Sequence, residues 1–181
     1  MTPILELAER TVEIPEGVKV EVSGRRVKVE GPRGSLTRDF SHMPVTINLE
    51  DGRLRVKTEW PRKREYAMVG TAASHIKNMI RGVTEGFRYK LKMVHAHFPI
   101  TVKVKEKERI LLIENFTGER SPRKVELLGD VSVKVSGEEI TVEGINIEDV
   151  SQTAANIEAA TKIKDKDQRV FLDGIYIFEK G

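Results

Sequence analysis

Residues 18–31 of this chain read VKVEVSGRRVKVEG, and residues 131–144 read VSVKVSGEEITVEG. In both stretches apolar and polar side chains alternate on either side of a Ser-Gly pair, and this period of two is typical of half-buried antiparallel strands. Because glycine tolerates the backbone of a tight turn, each stretch is predicted to form a β-hairpin. The tips carry opposite charges, with Arg25 and Arg26 in one and Glu138 and Glu139 in the other. We expect the two hairpins to pack on similar cores, and the charge of each tip to depend on the neighbour that the tip contacts.

Two segments are predicted to be amphipathic helices. Residues 61–82 and residues 146–163 place apolar side chains three and four positions apart, so one face of each helix is apolar. Pro61 suits the first turn of the first helix and Gly82 its end. Asn146 can cap the second helix by accepting a hydrogen bond from a free backbone N–H.

The order of the predicted elements repeats along the chain. Both helices contain Thr-Ala-Ala, beginning at Thr71 and at Thr153, 82 positions apart. The same offset carries the hairpin that starts at residue 18 onto another alternating stretch, residues 100–113, which turns in a charged segment. A hairpin that turns at Asp51-Gly52 precedes the first helix, as the hairpin at residues 131–144 precedes the second. The unit of hairpin, connector, hairpin and helix therefore occurs twice.

The fold class follows from this repeat. We predict an α+β protein of two tandem similar modules, each a small antiparallel sheet packed on one helix. The predicted domains are residues 1–83 and residues 84–181. Around Asp173 and Gly174 the alternation of apolar residues predicts a last short hairpin, added to the second module.

Composition excludes several functional classes. The chain of 181 residues has no cysteine, which removes disulfides, cysteine metal sites and thiol nucleophiles. Its 31 basic residues exceed its 28 acidic residues by three, and 33% of the residues are charged, above the usual quarter. No apolar run approaches the ~20 residues of a membrane span, and the acidic N-terminus does not resemble a secretory signal. We expect a cytoplasmic protein without a membrane partner.

Motifs for catalysis and for metal binding are weak. His95 and His97 would lie on one face of an extended strand and could hold a metal, but no set of further ligands completes the site. Asp165 and Asp167 begin like a calcium loop, yet the glycine and glutamate that such a loop requires are missing. We therefore predict no enzyme, no cofactor and no small-molecule substrate.

One glycine motif has two interpretations. Gly31-Pro-Arg-Gly34 is similar to the Gly-x-x-Gly loop that clamps a nucleic-acid backbone. The flanking helices of such a domain are not predicted, so a tight turn leaving a strand is the preferred interpretation.

Basic residues are bunched in particular segments, a distribution that favours contact with phosphates over a uniformly charged surface. Each segment could instead be a solvated linker. The segment after the second helix and the segment 115–124 are predicted loops; their basic residues are Lys162, Lys164, Lys166, Arg169, Arg120, Arg123 and Lys124. Arg88, Lys90 and Lys92 alternate along a predicted strand beside Tyr89, and Arg62, Lys63 and Arg64 begin the first helix.

The order of motifs resembles a known family. The segments IPEGV, VEGPRGSLTR, GTAASHIKNMIRG, YKLKMVHAHFPI and GIYIFEKG are together similar to the sixth protein of the large ribosomal subunit, in its archaeal and eukaryotic branch. The bacterial branch ends in a lysine- and glycine-rich loop, whereas this chain has KIKDKDQRVFLDG there. The resemblance covers essentially the whole chain.

The resemblance implies a duplicated, non-catalytic protein that binds large-subunit ribosomal RNA, mainly through its second module. It also implies neighbouring ribosomal proteins, a location near the translation-factor-binding region, and no self-association. The residues implied to contact RNA are Lys162, Lys164, Lys166, Arg169, Tyr176, Lys180, Arg120, Arg123, Lys124, His95 and His97. Two alternatives stay open, an RNA-independent protein-interaction adaptor and a hydrolase that uses His95 and His97.

Overall fold

The computed structural model describes residues 6–164, 166–167 and 169–181, and it divides into two compact units between Gly86 and Phe87. The domain boundary predicted after residue 83 therefore lies inside the last turn of a helix that ends at Thr84. Residues 1–5 and Asp165, on which part of the calcium-loop interpretation depends, lie outside the described residues. Each unit has its own core and is described by itself.

Residues 6–86, the described part of the first unit, form six strands and one helix. In chain order these are β1 (Leu7–Glu13), β2 (Lys19–Ser23), β3 (Arg26–Gly31), β4 (Gly34–Asp39), β5 (Thr46–Glu50), β6 (Arg53–Glu59) and α1 (Lys63–Thr84). They form two antiparallel sheets, with strand orders β1-β6-β5 and β2-β3-β4. The helix contacts both sheets, and its buried residues Val69, Ile76 and Val83 close one hydrophobic core over them.

The second unit repeats this order. Its elements are β7 (Phe87–Val94), β8 (Thr101–Lys105), β9 (Ile110–Glu114), β10 (Arg123–Glu126), β11 (Ser132–Ser136), β12 (Glu139–Gly144), α2 (Ile147–Ala160) and β13 (Gly174–Lys180). The sheets run β10-β9-β8 and β11-β12-β7-β13, all antiparallel. The helix α2 buries Val150, Ala154 and Ile157 in a separate hydrophobic core.

The two units match element by element. The sheet β1-β6-β5 corresponds to β7-β12-β11, the meander β2-β3-β4 corresponds to β8-β9-β10, and one helix follows in each unit. The α+β fold of two similar modules is therefore confirmed, with two small sheets in each module where a single sheet was predicted. The additional strand β13 lies on the free edge of β7.

The Gly-x-x-Gly motif is a hairpin turn. Gly31 pairs with Gly34 across the two residues between β3 and β4, as the preferred interpretation predicts. A Cβ atom on Gly31 would lie 2.8 Å from Cγ2 of Val83, so only glycine lets the strand approach the helix this closely. Arg33 donates its backbone N–H to the carbonyl of Val83 at 3.0 Å. The turn is therefore fixed against α1 and serves the core.

The helix ends differ partly from the prediction. Pro61 precedes the N-cap residue Arg62, so it lies outside the first helical turn. Gly82 is a buried residue of α1, and the helix continues to Thr84. Asn146 caps α2 as predicted, since its side chain accepts a hydrogen bond from the N–H of Glu148 at 3.1 Å.

The last predicted hairpin is wrong. Residues 170–172 form no strand, and the single strand β13 pairs with the distant β7 instead. Its other edge meets α2, where Thr161 Oγ1 accepts from the N–H of Ile175 at 2.9 Å and Glu158 Oε1 accepts from that of Ile177 at 3.2 Å. These side chains satisfy edge donors that an adjacent strand would otherwise use. No helix in the described part of the chain is long and apolar enough to cross a membrane.

Candidate nucleic-acid interface

The lysine segment after α2 lies on the surface of the second unit. The helix ends at Ala160, and Lys162, Lys164 and Lys166 follow with exposed side chains. This segment has no regular secondary structure among its described residues, as the sequence predicts. We call residues 162–166 the basic segment. Its lysines can therefore reach a ligand without a change in the helix.

The basic segment borders a groove shared with the loop after β9. The groove has a volume of about 630 Å³, and Lys162, Lys164 and Lys166 line it together with Thr117, Glu119 and Arg123. We call it the basic groove. Two of the segments in which the sequence shows bunched bases thus meet at one surface of one unit, although Arg123 and Lys162 are 39 positions apart in the chain.

Arg123 has its hydrogen-bond partners within the chain. Its Nη1 donates to the carbonyl of Ala160 at 2.6 Å, and its Nε and Nη2 donate to the Glu119 carboxylate at 2.9 and 2.5 Å. The guanidinium also lies over the ring of Phe116, 4.3 Å from the centroid. A cation at the C-terminal end of a helix is favoured because the free carbonyls there carry partial negative charge. Arg123 thus ties α2 to the groove's other wall.

The predicted loop 115–124 is therefore partly wrong. Residues 116–118 form one 3₁₀ turn, and Arg123 and Lys124 belong to β10, which pairs with β9. Arg120 and Lys124 are exposed. The hydrogen bonds from Arg123 lower the pKa of Glu119, so this carboxylate stays charged beside the basic segment.

The remaining implied contacts lie at two places. Arg169 is exposed and pairs with Asp167, its Nε 3.4 Å from Oδ1. Tyr176 and Lys180 lie on β13, with exposed side chains. Tyr176 borders a second groove, which Lys162 also lines. The structure therefore brings Tyr176 close to Lys162, and it shows Arg169 with its own acidic partner.

His95 and His97 follow the end of β7, so their predicted place on an extended strand is wrong. His97 Nδ1 lies 2.7 Å from Oδ2 of Asp173, and the His97 ring stacks on Phe171 with centroids 4.8 Å apart. His95 is exposed. Among the residues that the structure describes, no three metal-binding side chains gather at one site.

Burial alone would raise the pKa of Asp173, but hydrogen bonds from the His97 side chain and from the backbone N–H groups of His97 and Ala96 lower it to about 2. Its Oδ1 accepts from those two N–H groups at 3.0 and 2.8 Å. One buried carboxylate thus fixes the loop after β7. The sequence offers no signal for this pairing, because the partners are far apart in the chain.

The basic row on β7 is largely neutralised within its sheet. Arg88 pairs with Glu143 at 2.6 Å, and Lys90 pairs with Glu179 at 2.7 Å. Tyr89 lies between these bases in the sequence but packs against the core, so its ring does not lie on the face that carries Arg88 and Lys90.

Basic residues of the first unit also have partners within the chain. Arg26 at the first hairpin tip lies 3.6 Å from Asp39 on β4. At the start of α1 the carboxylate of Glu65 accepts from the backbone N–H of Arg62 at 2.7 Å, which offsets the unfavourable cations at this helix end.

The described part of the chain is thus a duplicated α+β fold whose second unit carries exposed lysines beside two open grooves. The family described as Ribosomal protein L6 matches residues 14–86 and 98–174, one segment in each unit. The chain belongs to this family, and it is a ribosomal protein of the cytoplasmic ribosome.

Curated relatives agree over nearly the whole chain. Large ribosomal subunit protein uL6 of Desulfurococcus amylolyticus is 55% identical over 182 residues, which cover 100% of this chain and 98% of the relative. The protein of the same name from Staphylothermus marinus is 56% identical over 94% of this chain and 93% of the relative. The protein of the same name from Aeropyrum pernix is 51% identical over 99% of this chain and 98% of the relative. The predicted family is therefore confirmed.

Proposed function

We propose that this protein is a structural constituent of the large ribosomal subunit that binds large-subunit ribosomal RNA, chiefly through its second unit, without catalysing a reaction. The observation that carries the proposal is the basic groove, where Lys162, Lys164 and Lys166 line one open surface. Neighbouring ribosomal proteins are its other partners. A site near the translation-factor-binding region is part of the proposal and rests on the family resemblance.

Phosphate neutralisation supplies the affinity in this proposal. Each lysine that contacts a phosphate releases condensed counterions, so binding weakens as salt rises. The exposed amines of the basic segment reach such phosphates, whereas the paired Arg88 and Lys90 would first have to leave their carboxylates. The groove is open to solvent, which suits recognition of folded RNA by shape.

The proposed contacts differ in role. The residues proposed to meet RNA directly are Lys162, Lys164, Lys166, Arg120, Lys124, Tyr176, Lys180 and His95, all exposed. Arg169 is also exposed but shares its charge with Asp167, so we propose a weaker contact there. Arg123 and His97 are tied to Glu119 and Asp173, and we propose that they shape the surface.

Salt-dependent binding of the full chain to large-subunit ribosomal RNA from Desulfurococcus amylolyticus tests this. Replacing Lys162, Lys164, Lys166 and Arg169 by Ala removes up to four phosphate contacts, so the affinity should fall and the dependence of log K on log salt should become flatter. The matched control replaces one arginine and three lysines of the first unit, Arg10, Lys19, Lys28 and Lys57, by Ala, and its slope should stay near that of the wild type. An unchanged affinity and slope in the first variant would remove the basic segment from the site.

A further inference from the structure

The second groove of this unit differs in chemistry from the basic groove. It has a volume of about 430 Å³, within the range of about 300–1,000 Å³ typical of ligand sites. Ala155, Ala159 and Ile163 give it an apolar floor, and Phe171 and Tyr176 are its aromatic residues. We call it the aromatic groove. An apolar floor beside aromatic rings suits a flat, apolar ligand surface.

Tyr176 is held in place at two points. A Cβ atom on Gly174 would lie 2.9 Å from Cζ of Tyr176, so the ring rests directly against the glycine backbone. The phenol donates a hydrogen bond to the carbonyl of Leu172 at 3.3 Å. Even so, Tyr176 is 45% exposed. A ring that is fixed before binding and still accessible loses little conformational entropy when a ligand stacks on it.

Phe171 is less available for stacking. His97 stacks on its ring with centroids 4.8 Å apart, and Nζ of Lys166 lies 4.7 Å from the ring centroid. Tyr176 is therefore the aromatic surface that the groove offers to a ligand, with Phe171 as a supporting wall.

The two grooves share one ridge. Ala159, Lys162 and Ile163 line both of them, with the aromatic groove on one side and the lysines of the basic groove on the other. A nucleotide has the same division, since its flat base and its charged phosphate lie on opposite sides of the sugar. Lys162 on the ridge supplies charge complementarity for a phosphate next to a base in the aromatic groove.

From this arrangement we propose that Tyr176 is a stacking platform for one unstacked RNA base, and that Lys162 contacts a phosphate of the same nucleotide. The inference rests on the proposed function and specifies its ligand as a base extruded from pairing. Single-stranded bases commonly stack on exposed aromatic side chains in RNA recognition.

A peptide strand fits this place less well. The edge donors of β13 at Ile175 and Ile177 are already bound by Thr161 and Glu158 of α2, so a partner protein cannot use them to extend the sheet. A nucleotide therefore fits the aromatic groove better than a peptide strand, because it joins a planar base to a charged phosphate at one side.

The test uses the full chain and ribosomal RNA of Desulfurococcus amylolyticus across a series of KCl concentrations. Tyr176→Leu should lower the affinity roughly tenfold, within the ~1–3 kcal/mol per base that stacking contributes. The slope of log K against log salt should not change, because no charge is lost. Tyr176→Phe keeps the ring and should stay within about twofold of the wild type. Phe178→Leu removes an aromatic of the same strand, 52% exposed and outside the groove, and should also stay within about twofold.

Irradiation at short wavelength adds a direct readout. A stacked base should form a covalent adduct with Tyr176, identified by mass spectrometry of the digested complex. Equal affinities for the wild type and Tyr176→Leu would overturn the platform, as would an equal loss in Phe178→Leu. If the variant with Lys162, Lys164, Lys166 and Arg169 replaced by Ala binds RNA more weakly while Tyr176→Leu does not, only the stacking platform fails. If the wild-type chain binds no ribosomal RNA, the proposed function fails as well. If Tyr176→Leu keeps its affinity for RNA but large subunits assembled with it lack a neighbouring protein, the groove binds a peptide. That result would also overturn the inference.

Discussion

Asp173 holds His97 through both its side chain and its backbone. Oδ2 of Asp173 lies 2.7 Å from Nδ1 of His97, and Oδ1 accepts from the His97 backbone N–H at 3.0 Å. The aspartate side chain is only 1% exposed, so its charge depends on these donors. The pair joins the loop after β7 to the beginning of β13, the strand that carries Tyr176. A histidine that suggests chemistry in the sequence thus has a structural role in the fold.

Replacing Asp173 by Asn should destabilise the protein in a pH-dependent way. The pKa of Asp173 is about 2 against an ordinary value of 3.8, which corresponds to about 2 kcal/mol of stability. Because the folded pKa is lowered, this stability is fully present above the unfolded pKa near 4 and is lost as pH falls through about 2. Urea unfolding between pH 6 and pH 2 should therefore show a difference between the wild type and Asp173→Asn that shrinks below pH ~4.

The exposed neighbour His95 provides the control for that experiment. His95→Gln removes an exposed ring and should change the free energy of unfolding by less than about 0.5 kcal/mol. A difference between the wild type and Asp173→Asn that stays constant down to pH 2 would contradict the lowered pKa.

Arg123→Ala should destabilise the second unit by about 2 kcal/mol. The change removes the hydrogen bond to Ala160, both bonds to Glu119 and the contact with Phe116. Arg123→Lys should not restore the stability, because an ammonium group cannot reproduce the planar fork that reaches both partners. Thermal unfolding measures the effect.

Lys124 is the matched control on the same strand. It is exposed, and Lys124→Ala should shift the free energy of unfolding by less than about 0.5 kcal/mol. Equal losses in Arg123→Ala and Lys124→Ala would show that Arg123 does not join α2 to the wall of the groove.

Gly31→Ala should destabilise the first unit by about 1–3 kcal/mol, since the new methyl group would meet Val83 at 2.8 Å. Gly70 is the useful comparison, because it lies within α1 and a Cβ atom there would meet nothing within 4 Å. Gly70→Ala should stabilise the protein by about 0.5–1 kcal/mol through helix propensity. Chemical unfolding should show that the free energy of unfolding falls in Gly31→Ala and rises in Gly70→Ala. An unchanged free energy of unfolding in Gly31→Ala would contradict the close contact.

The sequence predicts those elements whose signal is local. The hairpins at residues 18–31 and 131–144 and the cap at Asn146 form as predicted because alternation, turn residues and capping act within a few positions. The strands β1 and β10 lack a clear alternation, and their pairing with β6 and β9 decides their conformation. For β13, the pairing with β7 outweighs the local Asp-Gly turn signal.

The candidate site follows the same division. The exposure of the basic segment could be predicted, because its sequence shows no apolar periodicity. The bonds from Arg123 to Ala160 and from His97 to Asp173 could not, because each joins residues that only the folded chain brings together. For the same reason the groove beside Tyr176 has no sequence signature.

Sedimentation of the tagged chain with large ribosomal subunits, before and after ribonuclease, tests the central claim most directly. The protein should travel with intact subunits and leave that fraction once the RNA is digested, with the lysine variant of the basic segment leaving at lower salt than the wild type. Persistent association with other proteins after complete digestion, or absence from the subunit fraction at the outset, would contradict an RNA-binding constituent of the large subunit.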